Sequence, residues 1–194
     1  MPLFGRSRKK EISEVYKPKC TAIICAAGES TRMGQDKILM PLNDIPIIVW
    51  TLNAFQNSSS IDEIILVTKG ESIPVLGSLC KDGGFDKVTK IILGGETRIQ
   101  SVWAGLSEVS MDSELVAVHD GARPLVSQEV ISAAVDLATV CGTAVPAVAI
   151  KDTVKVLGPG DRVGETLDRD KLRAVQTPQV FRREILSAAL SKAL

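Results

Sequence analysis

Short apolar runs that alternate with amphipathic helical patterns constrain this chain more than any other feature of it. The first run is Cys20-Thr-Ala-Ile-Ile-Cys-Ala26. It lacks polar alternation, which is the pattern of a strand covered on both faces in a parallel sheet. Comparable runs recur at 61–68, 87–93, 115–119 and 143–150. Helical stripes lie between them. Across 97–109 the apolar positions are Ile99, Val102, Trp103, Leu106 and Val109; across 127–140 they are Val130, Ile131, Ala134, Leu137 and Ala138. Both sets fall on one helical face. The stretches 46–55 and 71–80 are less regular, with prolines where a first helical turn accepts them. Strands and helices in this order need crossover connections, so the expected fold class is α/β, an open, mostly parallel sheet with crossover helices. Such sheets bind ligands beyond the carboxyl ends of their strands, which directs attention to the loops that follow each run.

The 194 residues suffice for one domain with a real core. A single domain over 19–194 is expected, preceded by a disordered basic tail over 1–18. That tail has no apolar stretch after its charges and so does not read as a secretory signal. No later stretch approaches the length of a membrane span. One segment departs from the alternation. In 151–172, Thr-Val-Lys-Val-Leu and Arg-Val-Gly-Glu-Thr-Leu flank a Gly158-Pro-Gly160-Asp turn, the pattern of a β-hairpin that would project as an arm. The chain stops at Leu194 inside an amphipathic pattern (Ile185, Leu186, Ala189, Leu190) with no capping signal, so a truncated sequence is expected.

Charge and cysteine content exclude more than they select. Lys+Arg and Asp+Glu are both 23, so nothing general favours nucleic acid or a membrane surface, and a polyanion site must be built locally. The four cysteines form no CxxC pair and the chain has one histidine, which disfavours a zinc site or a disulfide framework. Cys25 and Cys141 sit in apolar runs and read as small buried hydrophobes. The pattern fits a reducing, cytoplasmic setting.

Three loops carry the residues suited to chemistry. The first is Ala26-Ala27-Gly28-Glu-Ser-Thr-Arg32-Met-Gly-Gln-Asp-Lys37. Small residues let its backbone approach a ligand, exposed N–H groups make an anion nest, and Arg32 and Lys37 add two cations. A triphosphate undergoing transfer needs that combination. The loop matches neither a Walker A segment nor GxGxxG. The second is Gly94-Gly95-Glu96-Thr97-Arg98-Ile-Gln-Ser101, where two glycines admit a base or ribose and Ser101 faces a base edge from the next helix; the competing reading is a loop with Glu96 or Thr97 as helix cap. The third is Val118-His119-Asp120-Gly121-Ala-Arg123-Pro124. A carboxylate at a strand end suits Mg²⁺ against phosphate oxygens, and Arg123 suits a phosphate. The bland alternatives are a capping carboxylate and a surface ion pair, and His119 reads as a satisfied strand-end histidine. Because all three follow sheet strands, they should converge on one edge.

These motifs, together with Ser-Val-Trp-Ala-Gly-Leu after the second loop, Lys-Asp-Thr-Val-Lys, Leu-Asp-Arg and Gln-Thr-Pro-Gln-Val-Phe, resemble the 2-C-methyl-D-erythritol 4-phosphate cytidylyltransferases from about Cys20 to Phe181. The resemblance implies a Rossmann-like sheet with a dimerising arm. It implies transfer of CMP from CTP to 2-C-methyl-D-erythritol 4-phosphate with Mg²⁺ or another divalent cation, in the non-mevalonate isoprenoid pathway. By the same resemblance, Ala26, Ala27 and Gly28 line the nucleotide, and Arg32 and Lys37 contact phosphates and stabilise the transition state. Gly95, Glu96 and Ser101 recognise cytosine, and Asp120 holds the metal with Gly121 and Arg123 nearby. Thr153 and Arg169, on the arm, bind the acceptor of a neighbouring subunit in a homodimer. The sequence departs from the family at Ser30 and Asp36, where many members have Gly and Pro, and lacks the family's C-terminal strand with its Asn-x-Lys-Ile-Thr-like motif. Two other readings stay open on the residues alone: a ribitol 5-phosphate cytidylyltransferase and a non-catalytic nucleotide-binding module. An NAD-dependent dehydrogenase is disfavoured by the missing GxGxxG.

Overall fold

The computed structural model describes residues 16–28 and 36–194. In chain order the elements are β1 (Cys20–Ala26), β2 (Pro41–Leu42), β3 (Ile45–Pro46), α1 (Ile47–Gln56), β4 (Glu63–Thr68), α2 (Ile73–Asp82), β5 (Val88–Leu93) and α3 (Arg98–Ser107). There follow β6 (Leu115–Asp120), α4 (Gln128–Cys141), β7 (Thr143–Ala144), β8 (Ala147–Ala149), β9 (Lys155–Leu157), β10 (Val163–Thr166), β11 (Arg173–Val175), β12 (Gln179–Arg182) and α5 (Arg183–Ala193). The main sheet runs β5-β4-β1-β6-β12-β7. β1 pairs in parallel with β4 on one side and β6 on the other. The strand order therefore reverses beside β1, the topological switch point at which open α/β sheets form their binding crevice.

The apolar runs become strands because both faces are covered. Along β1, Ala22 and Ile24 point into one core and Ile23 into the other. Ile64 and Leu66 against Ile65 and Val67, and Leu115 and Ala117 against Val116 and Val118, repeat this division in β4 and β6. The first core is closed by α1, α2 and α4 through Leu52, Phe55, Leu76, Ile131 and Val135. The second is closed by α3 and α5 through Val102, Leu106 and Leu186. The ends of two helices follow from their caps. Ser127 accepts a hydrogen bond from the Val130 N–H to start α4, and Gly142 stops it at φ 82°, a left-handed conformation that glycine takes without strain.

Three sequence expectations need correction. The run 143–150 is not one strand. Pro146, without an N–H, breaks it into β7, which joins the main sheet, and β8, which leaves it to pair with β11. The vacated place beside β6 is taken by antiparallel β12, whose residues read as a motif rather than as a strand. Cys141 is exposed, because it lies in the last turn of α4 on the side away from the sheet's core; the buried cysteines are Cys20 and Cys80. Residues 1–15 of the basic tail lie outside the described residues. Its final residues lie against the body: Tyr16 donates to the Glu114 carboxylate, Lys17 to the Ser59 carbonyl, and Pro18 is buried.

The arm is a ribbon in two sections. β8 and β11 pair antiparallel at its base, and β9 and β10 pair beyond them around a turn at Pro159–Asp161. Val148, Leu157, Val163 and Val175 are all more than half exposed.

Candidate functional site

The three chemistry-bearing loops meet beyond the carboxyl ends of β1, β5 and β6. They enclose a cavity of about 600 Å³ lined by Ala26, Ala27 and Gly28, by Lys37 and Ile38, by residues 95–98 with Ser101, and by Asp120 with Ala122. Cys25 also lines it. Burial pushes that thiol up to about 12, so it stands protonated and offers no thiolate nucleophile. Arg32, the other cation assigned to the first loop, lies outside the described residues.

Lys37 owes its place to the residues around it. Ile38, next in the chain, is buried in the first core. The Ile38 carbonyl accepts from the Ile48 N–H at 2.9 Å, and the Met40 carbonyl from the Ile47 N–H at 2.9 Å, so the segment is laced to the start of α1. Asp36 accepts a hydrogen bond from the Ser72 hydroxyl at 3.2 Å, tying the same segment to the turn before α2.

The second loop is shaped by close approach. A Cβ on Gly94 would stand 2.5 Å from the Ala27 Cβ and 2.8 Å from the Ser101 hydroxyl, so only glycine lets this loop close against the end of β1. The Ser101 hydroxyl accepts from the Gly95 N–H at 3.2 Å and lies 3.3 Å from the Gly95 carbonyl, holding the loop from beneath. Thr97, not Glu96, caps α3, in a capping box with Gln100. That leaves the Glu96 side chain exposed at the cavity.

The third loop is the most tightly specified. His119 is fully buried. Its Nε2 lies 3.2 Å from the Arg123 carbonyl, which can only accept, so Nε2 carries the proton. Nδ1 then accepts from the Thr177 hydroxyl at 2.9 Å. Burial lowers this histidine to about 4, so it stays neutral and structural, as its strand-end position implied. The Thr51 hydroxyl on α1 donates to the Gly121 carbonyl at 2.8 Å, and a Cβ on Gly121 would press on Ile48 and on Ala26. Gly121 is therefore buried behind the cavity wall rather than lining it.

Asp120 projects from the end of β6 between two arginines. Arg98, the first residue of α3, reaches Oδ1 with Nη2 at 3.1 Å and Nε at 3.3 Å. Arg123 reaches Oδ2 with Nε at 2.8 Å, and its Nη1 donates to the Gln176 side chain. Burial pushes the Asp120 carboxyl up, but the Arg123 hydrogen bond and the Arg98 charge outweigh it and hold the carboxyl below its ordinary value. Sequence reading did not assign Arg98, Gln176, Thr177 or Thr51. Arg98 and Asp120 are 22 residues apart, and only the sheet order brings their two loops together. Among the described residues no group of three His, Cys, Asp or Glu side chains gathers to hold a metal. A lone carboxylate at the cavity still fits Mg²⁺, which commonly takes one or two protein carboxylates and completes its shell with substrate phosphates and water.

Thr153 and Arg169 do not join this cavity. Both are exposed on the arm, and the Arg169 guanidinium donates to the Lys151 carbonyl at 2.8 Å. Among the described residues no helix is long and apolar enough to cross a membrane.

Comparison with known proteins yields one consistent match. The family model for IspD, 2-C-methyl-D-erythritol 4-phosphate cytidylyltransferase, matches residues 20–194. The chain is 46% identical over 172 residues to a relative of that name from Dehalococcoides mccartyi, covering 88% of this chain and 75% of the relative. A relative of the same name from Alkaliphilus metalliredigens is 43% identical over 178 residues, covering 90% and 74%. Among solved structures, the 4-diphosphocytidyl-2C-methyl-D-erythritol synthase from Anaerococcus prevotii superposes with a TM-score of 0.82 at 28% identity, covering 92% of this chain and 77% of that one. The 2-C-methyl-D-erythritol 4-phosphate cytidylyltransferase from Thermus thermophilus gives 0.70 at 28% identity, covering 90% and 76%.

Proposed function

Because the chain belongs to the 2-C-methyl-D-erythritol 4-phosphate cytidylyltransferase family, an enzyme family of nucleotidyltransferases, we propose that the cavity at the ends of β1, β5 and β6 is its CTP site. The family's reaction transfers CMP from CTP to 2-C-methyl-D-erythritol 4-phosphate and releases pyrophosphate, a step of isoprenoid biosynthesis. An oxygen of the acceptor phosphate attacks the α-phosphorus of CTP. A new P–O bond forms there, the bond to the β-phosphate oxygen breaks, and pyrophosphate departs with the electron pair. Two anions must meet, so the catalytic requirement is positive charge fixed where negative charge builds up.

The observation that carries the assignment is the convergence of Ala26, Ala27, Gly28 and Lys37 with Gly95, Glu96, Ser101 and Asp120 around one cavity. In this reading the backbone over 26–28 cradles the phosphates, with Lys37 and Arg32 as the transition-state cations. Gly95, Glu96 and Ser101 read cytosine, and Asp120 holds the divalent cation, with Gly121 shaping the loop and Arg123 bracing the carboxylate from outside the cavity lining. The bound cation would neutralise phosphate charge. Thr153 and Arg169 serve the acceptor in the site of a second subunit, since neither reaches the cavity of its own chain. A homodimer through the arm, in a cytoplasmic setting, completes the proposal. The family match favours methylerythritol phosphate over ribitol 5-phosphate, and an enzyme over a non-catalytic module. The test is pyrophosphate release with each nucleoside triphosphate and each polyol phosphate. Turnover with CTP and methylerythritol phosphate alone is expected; equal turnover of all four triphosphates would refute the cytosine reading.

A further inference from the structure

The two arginines on Asp120 are held in different ways. Arg123 is built in at several points. Its Nε is 2.8 Å from Oδ2, its Nη1 is on Gln176, its N–H donates to the Asp120 carbonyl at 3.0 Å, and its own carbonyl takes the His119 proton. The Arg98 side chain has only Oδ1 among the described residues, through two longer bonds of 3.1 and 3.3 Å. The two side chains are similarly exposed, 49% for Arg98 and 44% for Arg123, so the difference lies in their bonds. It also sits at the first position of the ten-residue α3. A cation there opposes the positive end of the helix dipole, so its own helix favours anions at that place. Arg98 lines the cavity, whereas Arg123 stands behind Asp120 outside the lining.

From this asymmetry we propose that Arg98 is a releasable counter-ion: it covers Asp120 Oδ1 while the cavity lacks nucleotide and leaves it for the triphosphate when a divalent cation takes that oxygen. The inference rests on Asp120 as the metal carboxylate. Each carboxylate oxygen already carries a guanidinium, Arg98 on Oδ1 and Arg123 on Oδ2, so a divalent cation that approaches Oδ1 meets the Arg98 charge held against it. Arg98 is the one with fewer ties. A divalent cation and a guanidinium on the same oxygen also repel each other strongly at that range. Displacement therefore frees a planar, bidentate phosphate donor in the cavity at the moment phosphate arrives. Metal without nucleotide meets an occupied carboxylate and binds poorly; metal with nucleotide exchanges one cation for another, and the phosphates accept the one released. Arg98 would thus make metal and nucleotide bind together.

The experiment measures Mn²⁺ binding to the full chain without nucleotide by the free-ion electron paramagnetic resonance signal, and CTP binding with and without Mn²⁺ by equilibrium dialysis of labelled CTP, in wild type, Arg98→Met and Asp120→Asn. Circular dichroism verifies the fold of each. Arg98→Met should bind Mn²⁺ about tenfold tighter than wild type without nucleotide, and CTP about tenfold more weakly, each about 1.4 kcal/mol. These opposite signs are what a merely structural role for Arg98 would not give. If Asp120→Asn loses Mn²⁺ while Arg98→Met shows no gain, the counter-ion role is wrong and the metal assignment stands. If Mn²⁺ raises the CTP affinity of Asp120→Asn as much as that of wild type, the metal assignment fails and the counter-ion role fails with it.

Discussion

Val118, inside β6, is 2% exposed, and Val163, in the arm, is 61% exposed, although both are strand valines in one chain. The first lies in a six-stranded sheet covered by helices on both faces; the second pairs with one neighbouring strand only. Residues at the cavity are consequently over-determined by the chain's own core. Lys37 is fixed through Ile38, and Asp120 through His119, Thr177 and Thr51. The arm has nothing of the kind. A two-stranded ribbon is marginal by itself in water, and this one carries apolar side chains on its surface. The described lining of the cavity comes from one core, while the arm leaves its apolar side chains uncovered.

Core and arm should answer truncation very differently. Ile23→Ala, fully buried between β1 and α3, should lower unfolding free energy by about 2–5 kcal/mol. Val163→Ala should change it by no more than about 0.5 kcal/mol, as for an exposed position, when chains are diluted below any self-association. Urea denaturation of both variants decides this. Equal losses would mean that the arm has a core of its own.

Chemistry should separate along the same line. Lys37→Ala should reduce kcat at least about a hundredfold, the scale of losing one preorganised transition-state donor, with thermal unfolding unchanged. Near-normal kcat would show that the lysine faces away from the reacting phosphate. Arg169→Ala should lower kcat/KM for the acceptor at least about tenfold, through loss of a bidentate phosphate contact, while CTP binding by calorimetry stays at the wild-type value. A parallel loss of CTP affinity would place Arg169 with the nucleotide of its own chain.

The smallest expected effect concerns pH. Neutral His119 is enforced by burial, with its titration lowered to about 4 against about 6.5 when unfolded. The unfolded chain therefore binds a proton first on acidification. Stability should be full above pH 6.5 and decline as pH falls toward 4, by about 1 kcal/mol at pH 5.5. Asp120, also held low, adds loss of the same sign at lower pH. His119→Asn should flatten the decline between pH 6.5 and 5.5. An unaltered slope in that variant would mean that other groups carry it.

Much of the core was legible in the sequence, because burial on both faces leaves an unmistakable composition in β1, β4 and β6. The loops after β1, β5 and β6 were legible in another way, since chemistry in an open sheet has few places to be. Local pattern did not reveal β12 or the split of 143–150. A short antiparallel strand inserted between β6 and β7 is chosen by tertiary pairing, and Pro146 marks a break without saying where the chain goes next. The Arg98–Asp120 pair was hidden in another way. Each residue stood in a recognised motif and the loops were expected on one edge, but no local pattern says which side chain of the loop after β5 meets which of the loop after β6 across the intervening β4 and β1. The arm showed as a hairpin because two alternating stretches flank a Gly/Pro turn.

The account's central claim is that cavity and arm from different subunits make one site, and subunit mixing tests it most directly. Lys37→Ala and Arg169→Ala chains, each with no more than about a tenth of wild-type activity alone, are mixed under conditions where exchange is verified by differently tagged subunits. Free exchange gives half mixed dimers, each with one of its two sites intact, so roughly a quarter of wild-type activity should return under symmetric pairing. If the mixed population stays no more active than the two chains alone after verified exchange, Arg169 serves the cavity of its own chain and the shared site is wrong.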